Sequence, residues 1–193
     1  MTKFAQPNKN IAERNMNDFK NMVSRLAQLG ENRLFLNSSE EHAVVVLSEM
    51  FKVAESNIRI FAGCLYEHVG NSPEYIQALS DFIERGGSVK ILLNNFNPQE
   101  GAKSNLFKRL AYYQELGKSV EIRSTDAKPY LANDEAKKEV HFTIADERAY
   151  RIETDIKERT AACNFDGETL AKKFATFFDN IFSEATEIKL NEI

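Results

Sequence analysis

The sequence has few of the residues that characterise secreted, metal-binding or membrane proteins. It contains two cysteines, Cys64 and Cys163, three histidines and no tryptophan among 193 residues. Two cysteines this far apart form neither a disulfide framework nor a metal-ligand cluster. We therefore predict no metal site, and no other pattern indicates a cofactor. Nothing approaches the roughly 20 consecutive apolar residues of a membrane helix, and the first residues lack the apolar segment of a secretory signal. We expect a protein of the reducing cytoplasm without a membrane partner.

A large surplus of charge is also absent from the chain as a whole. The formal net charge is −4, but residues 1–30 carry five basic and two acidic side chains. A negative total argues against a protein that coats nucleic acid, although a basic N-terminal arm fits a weak contact with phosphates or with an acidic partner. The sequence does contain 42% hydrophobic residues, including 14 phenylalanines, which is enough for the core of one domain.

The first 30 residues have the pattern of a polar leader followed by an amphipathic helix. Residues 1–10 are polar and predict a frayed leader. From Ile11 to Leu29 the apolar side chains repeat at the spacing of a helical seam, and Gly30 follows as a stop. The members of the seam are Ala12, Met16, Phe19, Val23 and Leu26. Two heptads are too few for a free coiled coil, so we expect the helix to dock either on its own domain or on a partner chain.

Residues 31–193 make up the main domain, which begins with alternating strands and helices. Two of the helices carry start signals, with Ser38 at capping-box spacing from Glu41 and with Ser72 followed by Pro73. Helices of this length are the crossovers that a parallel sheet requires, so we expect the first four strands to be parallel. The strand-like segments cover residues 32–36, 57–65, 88–95 and 119–124, and the helix-like segments cover residues 38–56, 72–86 and 104–117.

The alternation stops after Ser124. A polar loop over residues 125–138 is followed by β-type segments at 139–145, 149–153 and 159–165, which indicate antiparallel additions to the sheet. One helix closes the chain, with Asp166 expected as its N-cap and a phenylalanine-rich face expected as core. That face consists of Leu170, Phe174, Phe177, Phe178, Ile181 and Phe182.

This order of elements resembles one half of the phospholipase D-like fold, over roughly residues 32–185. The stretch "ALSDFIERGGSVKILLNN" is similar to the helix, glycine turn and strand that precede the catalytic segment in that superfamily. The stretch "AACNF" is similar to its strand of small residues and asparagine. The resemblance implies an α/β fold with a mixed, mainly parallel sheet, helices on both faces and the 139–145 strand at its centre. It also implies a homodimer, because members with a single motif pair two half-sites across a symmetric interface.

Active members of that superfamily carry His-x-Lys, then four residues and Asp. A histidine and a lysine two apart on a strand point the same way, so the histidine can attack phosphorus while the lysine neutralises the phosphoryl oxygens. With His141 on the motif's histidine, the lysine position is Thr143 and the aspartate position is Arg148. With Asp146 on the motif's aspartate, the histidine and lysine positions are Glu139 and His141. The motif is therefore incomplete in both registers.

The following strand of the superfamily resembles Gly-Ser-x-Asn, and here its first two positions are Ala161 and Ala162. The candidate catalytic residues that remain are His141, Glu139 and Asn164. We expect a polar cluster that is either structural or ligand-binding. Its candidate members on neighbouring strands are Glu139, His141, Thr143, Arg151 and Glu153. His68, at the carboxyl edge of the sheet, is a further candidate.

Three functions follow from the sequence. The first is a non-catalytic phospholipase D-like domain that acts by association, as a homodimer or as a subunit of a complex with another protein, in regulation or recognition. The second is a metal-independent phosphodiesterase or nuclease that uses His141 from two subunits. The third is a nucleic-acid-binding regulator that uses the basic arm and the basic patch of Lys103, Lys108, Arg109 and Lys118. The incomplete motif favours the first.

Overall fold

The computed structural model of the chain describes residues 9–131 and 137–192. Most of the predicted leader, residues 1–8, and part of the predicted loop, residues 132–136, lie outside the described residues. The strands are β1 (Phe35–Ser38), β2 (Asn57–Ala62), β3 (Ser88–Leu93), β4 (Val120–Ser124), β5 (His141–Ala145), β6 (Ala149–Asp155), β7 (Thr160–Asn164) and β8 (Thr186–Glu187). The α-helices are α1 (Lys9–Leu29), α2 (Glu40–Val53), α3 (Pro73–Glu84), α4 (Pro98–Gly101), α5 (Asn105–Glu115) and α6 (Glu168–Glu184), and 3-10 helices cover His68–Asn71 and Leu190–Glu192.

All the described strands form one sheet in the order β1-β7-β6-β5-β2-β3-β4-β8. β2, β3 and β4 pair in parallel, and the other pairings are antiparallel. The predictions of a mixed sheet and of a central β5 are confirmed. β1 runs in the same direction as β2, β3 and β4, but it pairs antiparallel with β7 at the edge of the sheet. Parallel pairing is thus restricted to three strands, because the meander of β5, β6 and β7 fills the space between β1 and β2.

Helices cover both faces of the sheet, as predicted. One face packs against α2, α3 and α5, whose buried side chains include Phe82. The other face packs against α6, where Phe178 and Phe182 join Phe61 and Phe142 in a second apolar cluster. These α6 side chains are at most 4% exposed, so this part of the predicted phenylalanine stripe is core. Burying each such side chain contributes about 1.5–3 kcal/mol, which makes the two clusters the main support of the sheet. The prediction is wrong for Phe177, which is 39% exposed.

The N-terminal helix α1 docks on its own domain. Val23, Leu26 and Ala27 are at most 5% exposed, and the ring of Phe19 stacks on the ring of His42 in α2 with a centroid distance of 3.8 Å. This burial lowers the pKa of His42 and outweighs the opposite effect of a neighbouring carboxylate. The C-terminal half of the predicted seam therefore packs within the chain.

Two helix starts differ from the sequence-based expectation. Ser39, and not Ser38, caps α2, because its hydroxyl accepts a hydrogen bond from the backbone N–H of His42 at 3.1 Å while Ser38 still belongs to β1. Asp166 does not cap α6, which begins two residues further on. Its carboxylate instead accepts a hydrogen bond from Nε of Arg148 at 2.6 Å. In each case a strand or a distant side chain competes with the local capping pattern.

No helix within residues 9–131 or 137–192 is long and apolar enough to cross a membrane. The same two ranges contain no group of three or more His, Cys, Asp or Glu side chains that is arranged to hold a metal ion. They do contain a cavity that is lined by charged side chains.

Candidate functional site

A cavity of about 240 Å³ lies at the carboxyl ends of β2 and β6, beside the start of β5. Proteins with α/β folds bind ligands at this edge of the sheet, because the loops that follow the strands converge there. The charged and titratable side chains in the lining are Glu67, His141, Arg151, Glu153 and Arg159.

The antiparallel pairing of β5 with β6 brings four of the predicted site residues together. His141 pairs with Glu153, and Thr143 pairs with Arg151. Residues opposite each other and residues two apart share a face of the sheet, so all four line the same cavity. Glu139 lies two residues before His141 and extends this face to its edge. The cluster that the sequence predicts is thus assembled by one hairpin.

Both ring nitrogens of His141 face carboxylates. Nδ1 lies 3.5 Å from Oε2 of Glu153, and Nε2 lies 3.5 Å from Oε1 of Glu139. The same Oε1 of Glu139 accepts a hydrogen bond from Nδ2 of Asn94 at 2.6 Å, which fixes the position of that carboxylate. A neutral imidazole donates to one of the two carboxylates and the imidazolium donates to both. The His141 ring is therefore held between two acceptors, with 15% of its side chain exposed.

Glu153 is the centre of a buried ionic cluster. Its Oε1 lies 3.1 Å from Nη2 of Arg151, and the two side chains are only 5% and 7% exposed. Nη1 of Arg159 lies 3.6 Å from Oε2 of Glu153. Burial by itself raises the pKa of Glu153, but the hydrogen bond from His141 and the two guanidiniums hold it below the ordinary value. Glu153 therefore stays ionised, and its charge is balanced by the arginines.

Asn37 completes the cluster from β1, and the sequence analysis did not identify it. Its side chain is almost fully buried, its Oδ1 accepts a hydrogen bond from Nε of Arg151 at 3.0 Å, and its Nδ2 donates to the backbone oxygen of Arg159 at 2.9 Å. Sγ of Cys163 also lies 3.4 Å from Oδ1 of Asn37. The sequence feature that indicates Asn37 is an amide side chain at an inward-facing position of a short apolar strand. A polar side chain at such a position requires a buried partner.

His68, which the sequence placed in the cluster at this edge of the sheet, does not line the cavity, although Glu67 and Val69 on either side of it do. Nδ1 of His68 lies 3.2 Å from Oε1 of Glu40 at the start of α2, and Nε of Arg159 lies 3.8 Å from the same oxygen. The His68 side chain is 54% exposed, so it lies outside the buried cluster. Leu65, His68 and Arg159 have φ values of 61°, 45° and 53°, a left-handed conformation that costs energy for residues other than glycine.

The structure does not bring Asn164 to this cluster. It pairs with Tyr150, whose side chain belongs to the α6 face, whereas Glu153 pairs with Ala161 three positions away. Nδ2 of Asn164 donates to Oδ1 of Asn32 at 2.9 Å. Because neighbouring positions of a strand point to opposite faces, Asn164 and Cys163 are directed to different sides of the sheet.

Asp146, the aspartate of one motif register, lies just beyond the far end of β5. Its carboxylate accepts hydrogen bonds from the backbone N–H groups of Glu55, Ser56 and Asn57 at distances of 2.7 to 2.9 Å. Burial by itself raises the pKa of Asp146, but these hydrogen bonds outweigh burial and lower it. Asp146 therefore anchors the start of β2 to the turn after β5. It does not contact His141.

The two cysteines lack the features of reactive thiols. Burial raises the pKa of the Cys163 thiol to about 12. Burial also raises the pKa of the half-buried Cys64, and the nearby Glu67 adds to the shift. A thiol is nucleophilic in its thiolate form, so neither cysteine is prepared for attack near neutral pH.

No protein-family model and no curated protein matches the sequence. The fold is similar to that of solved structures. NucT from Helicobacter pylori has a TM-score of 0.57 and 10% identity, over 81% of this chain and 99% of that one. Nuc from Salmonella typhimurium, a phospholipase D family member, has a TM-score of 0.53 and 15% identity, over 81% and 99%.

The archaeal chromatin protein TrmBL2, whose structure shows a novel mode of DNA binding, has a TM-score of 0.55 and 19% identity, over 93% of this chain. This chain spans only 64% of the length of the TrmBL2 chain. At such identities the likeness concerns the fold alone. The expected phospholipase D-like fold is therefore confirmed.

Proposed function

We propose that this chain is a non-catalytic phospholipase D-like domain that acts by association, as a homodimer or as the regulatory subunit of a complex. One observation carries the proposal. Nδ1 of His141 faces the carboxylate of Glu153, and Nε2, the nitrogen that remains for attack on phosphorus, faces the carboxylate of Glu139. A nucleophilic histidine needs an unprotonated nitrogen that points at the substrate.

The charges around His141 also disfavour a phosphodiester. The carboxylate of Glu139 stands next to Nε2 and repels an anionic phosphate that approaches this atom. The position that would hold a phosphate-neutralising lysine is Thr143 or His141 itself, depending on the register. Arg151 is buried against Glu153 and Asn37, so it cannot move to a phosphate without leaving a buried carboxylate unpaired.

Exposed apolar side chains support a role in association. Leu29 at the end of α1, Leu34 before β1 and Leu36 within β1 are 61%, 62% and 65% exposed. β1 is an edge strand, and among the described residues its outer side has no neighbouring strand. An apolar edge strand is a template for pairing with another chain, so this edge is the best candidate for the partner-binding surface.

A DNA-binding regulator is the second candidate, and one comparison favours it. The likeness to TrmBL2 extends over 93% of this chain, against 81% for Nuc and NucT. The predicted basic patch gives weaker support, because Lys103 pairs with Glu100 at 2.8 Å. Binding to duplex DNA that falls steeply as salt is raised from 50 to 200 mM would favour this candidate.

The proposed function is tested by measuring hydrolysis and association on the same preparation. We expect wild type and His141→Ala to hydrolyse bis(p-nitrophenyl) phosphate at the same background rate in the presence of EDTA. We also expect light scattering to give about twice the 22.0 kDa of one chain, or a stable partner to co-purify from the native host. Hydrolysis by wild type that His141→Ala abolishes would establish the phosphodiesterase instead.

A further inference from the structure

The outer side of β1 is an unprotected edge of the sheet. No backbone hydrogen bond joins residues 34–38 to any described segment other than β7. Edge strands are normally protected by charged side chains, prolines, bulges or a covering element. Residues 34–38 contain neither a charged residue nor a proline, whereas the opposite edge is the two-residue strand β8, which carries Glu187. β1 is therefore open to pairing with a further strand.

The exposed side chains of this edge continue an apolar face of the sheet. Leu36 pairs with Ala162 on β7, and Ala162 pairs with Ile152 on β6. Ile152 belongs to the apolar cluster under α6, which packs over β2, β5 and β6. Leu34 and Leu36, two positions apart on this face, stay 62% and 65% exposed. The apolar face thus extends to the edge of the sheet and lacks a cover there.

We propose that β1 pairs antiparallel with β1 of a second copy of this chain, with Phe35 on the two-fold axis. The inference rests on the proposed function, because it names the partner and the contact of a domain that acts by association. In this register Leu34 of each copy lies opposite Leu36 of the other, so all four exposed leucines pair. An axis at Leu36 or at Leu34 instead sets one leucine of each copy opposite a polar side chain, Ser38 or Asn32.

The symmetry of the strand selects a second copy as the partner. A two-fold contact requires a surface that is complementary to itself, and the apolar pattern of β1 is symmetric about Phe35. The same register sets Arg33 opposite the partner's Asn37, so the flanks bring no two like charges together. A copy of the chain therefore supplies the matching edge without any further requirement.

Edge pairing keeps the two histidine clusters apart. β5 is separated from the outer side of β1 by β6 and β7, so about seven strand spacings of roughly 4.8 Å, or about 34 Å, lie between β5 and its copy. A composite site that uses His141 from two subunits requires these residues to meet. The proposed dimer does not build such a site, in agreement with a domain that acts by association.

Disulfide trapping tests both the pairing and its register. Leu34→Cys and a tagged Leu36→Cys are mixed, incubated for subunit exchange, oxidised and separated on a non-reducing gel. Directly opposite Cα atoms lie about 4.5–5.5 Å apart, within the range of a disulfide, whereas diagonal positions lie about 7–8 Å apart. We expect the mixed dimer to exceed either homodimer about tenfold. Wild type controls for the native cysteines, and Tyr112→Cys, at a position that is 51% exposed on α5, should not cross-link with Leu36→Cys.

Hydrogen exchange on the unmodified chain provides a second measurement. Two short strands make a small interface, so we expect the dimer to dissociate on dilution. The outward amides of residues 34–38 should exchange more slowly in concentrated than in dilute protein, and Thr186 and Glu187 at the other edge should not change. Unchanged exchange of residues 34–38 over a dilution that halves the mass in light scattering would overturn the edge pairing.

The outcomes separate this inference from the proposed function. Homodimers of Leu34→Cys or of Leu36→Cys that cross-link as well as the mixture would overturn the register, and no cross-link in any mixture would overturn the pairing. A mass of two chains without cross-links would place the dimer contact elsewhere and leave the proposed function standing. His141-dependent diester hydrolysis by a preparation that does cross-link would contradict the proposed function alone.

Discussion

Oε1 of Glu139 lies 3.5 Å from Nε2 of His141, and these residues occupy the motif's histidine and lysine positions when Asp146 is taken as its aspartate. In that register a carboxylate stands where the nucleophile is expected, and an imidazole stands where the cation is expected. Asp146 meanwhile accepts hydrogen bonds from the backbone at the start of β2.

Thr143→Lys introduces the lysine that the other register lacks, and we expect it to destabilise the protein without giving diesterase activity. Thr143 is 6% exposed and pairs directly with Arg151, so the new ammonium would be buried beside a like charge. The expected cost is about 3 kcal/mol. Urea denaturation and the chromogenic diester measure the two effects, with Thr143→Val as the uncharged control. Hydrolysis by the lysine variant would show that the rest of the site is competent.

Arg151→Met should destabilise the fold by about 3–5 kcal/mol, because it removes a buried partner of Glu153. Combining it with Glu153→Gln should recover part of this loss, since the uncompensated carboxylate is then gone. Arg148→Met is the matched control. It breaks a pair in which the arginine is 51% exposed, and should cost no more than about 1 kcal/mol. Equal losses for the two arginine variants in urea titrations would disprove the buried-cluster interpretation.

Asp146→Asn should change the pH dependence of stability. The folded pKa of Asp146 lies below the ordinary value of 3.8, so its ionised form stabilises the fold above that pH, and this stabilisation is lost as pH falls through the folded pKa. We expect the variant to be about 1–2 kcal/mol less stable than wild type at pH 7 and nearly equal to it once the pH has fallen below the folded pKa of Asp146. Asparagine tolerates the φ of 52° at this position, so the substitution removes the charge and one accepting oxygen without straining the backbone. A difference that persists unchanged into acid would contradict the charge argument.

Two leucines on α1 provide a matched pair for the docking of that helix. Leu26 is 3% exposed and Leu29 is 61% exposed. Leu26→Ala should cost about 2–5 kcal/mol, because it leaves a cavity between α1 and α2. Leu29→Ala should change the free energy of unfolding by less than about 0.5 kcal/mol. Similar effects of the two substitutions in thermal or urea unfolding would mean that α1 does not dock as described.

Leu36→Lys should weaken self-association without unfolding the chain. A lysine on an edge strand opposes pairing with another strand, and the Leu36 side chain is 65% exposed, so the folded monomer tolerates the charge. Light scattering should show the mass falling from two chains towards one. Leu116→Lys, at a site that is 55% exposed beyond the end of α5, should leave the mass unchanged. Dissociation by both variants, or by neither, would place the interface elsewhere.

The sequence determined the order of the elements and most of their extents, because hydrophobic periodicity and turn residues act over short distances. The βα alternation, the closing helix and the neighbouring strands that carry His141 and Glu153 all follow from patterns within about 20 residues of each other. The alternation of faces along a strand was enough to group Glu139, His141 and Thr143. Local patterns were less reliable at the ends of helices, where Ser39 and Asp166 depend on neighbouring strands and on Arg148.

Only the tertiary structure decided which charged and polar side chains of the cluster contact each other. Asn37 and Arg151 are 114 positions apart in the chain, and they meet because β1 pairs with β7 at the edge of the sheet. No local pattern specifies that pairing, since an edge strand of four residues has little sequence signal of its own. The pairing of β5 with β6 likewise sets Nδ1 of His141 against the carboxylate of Glu153. The sequence specifies the residue types, and the folded structure specifies which charged side chains lie next to each other.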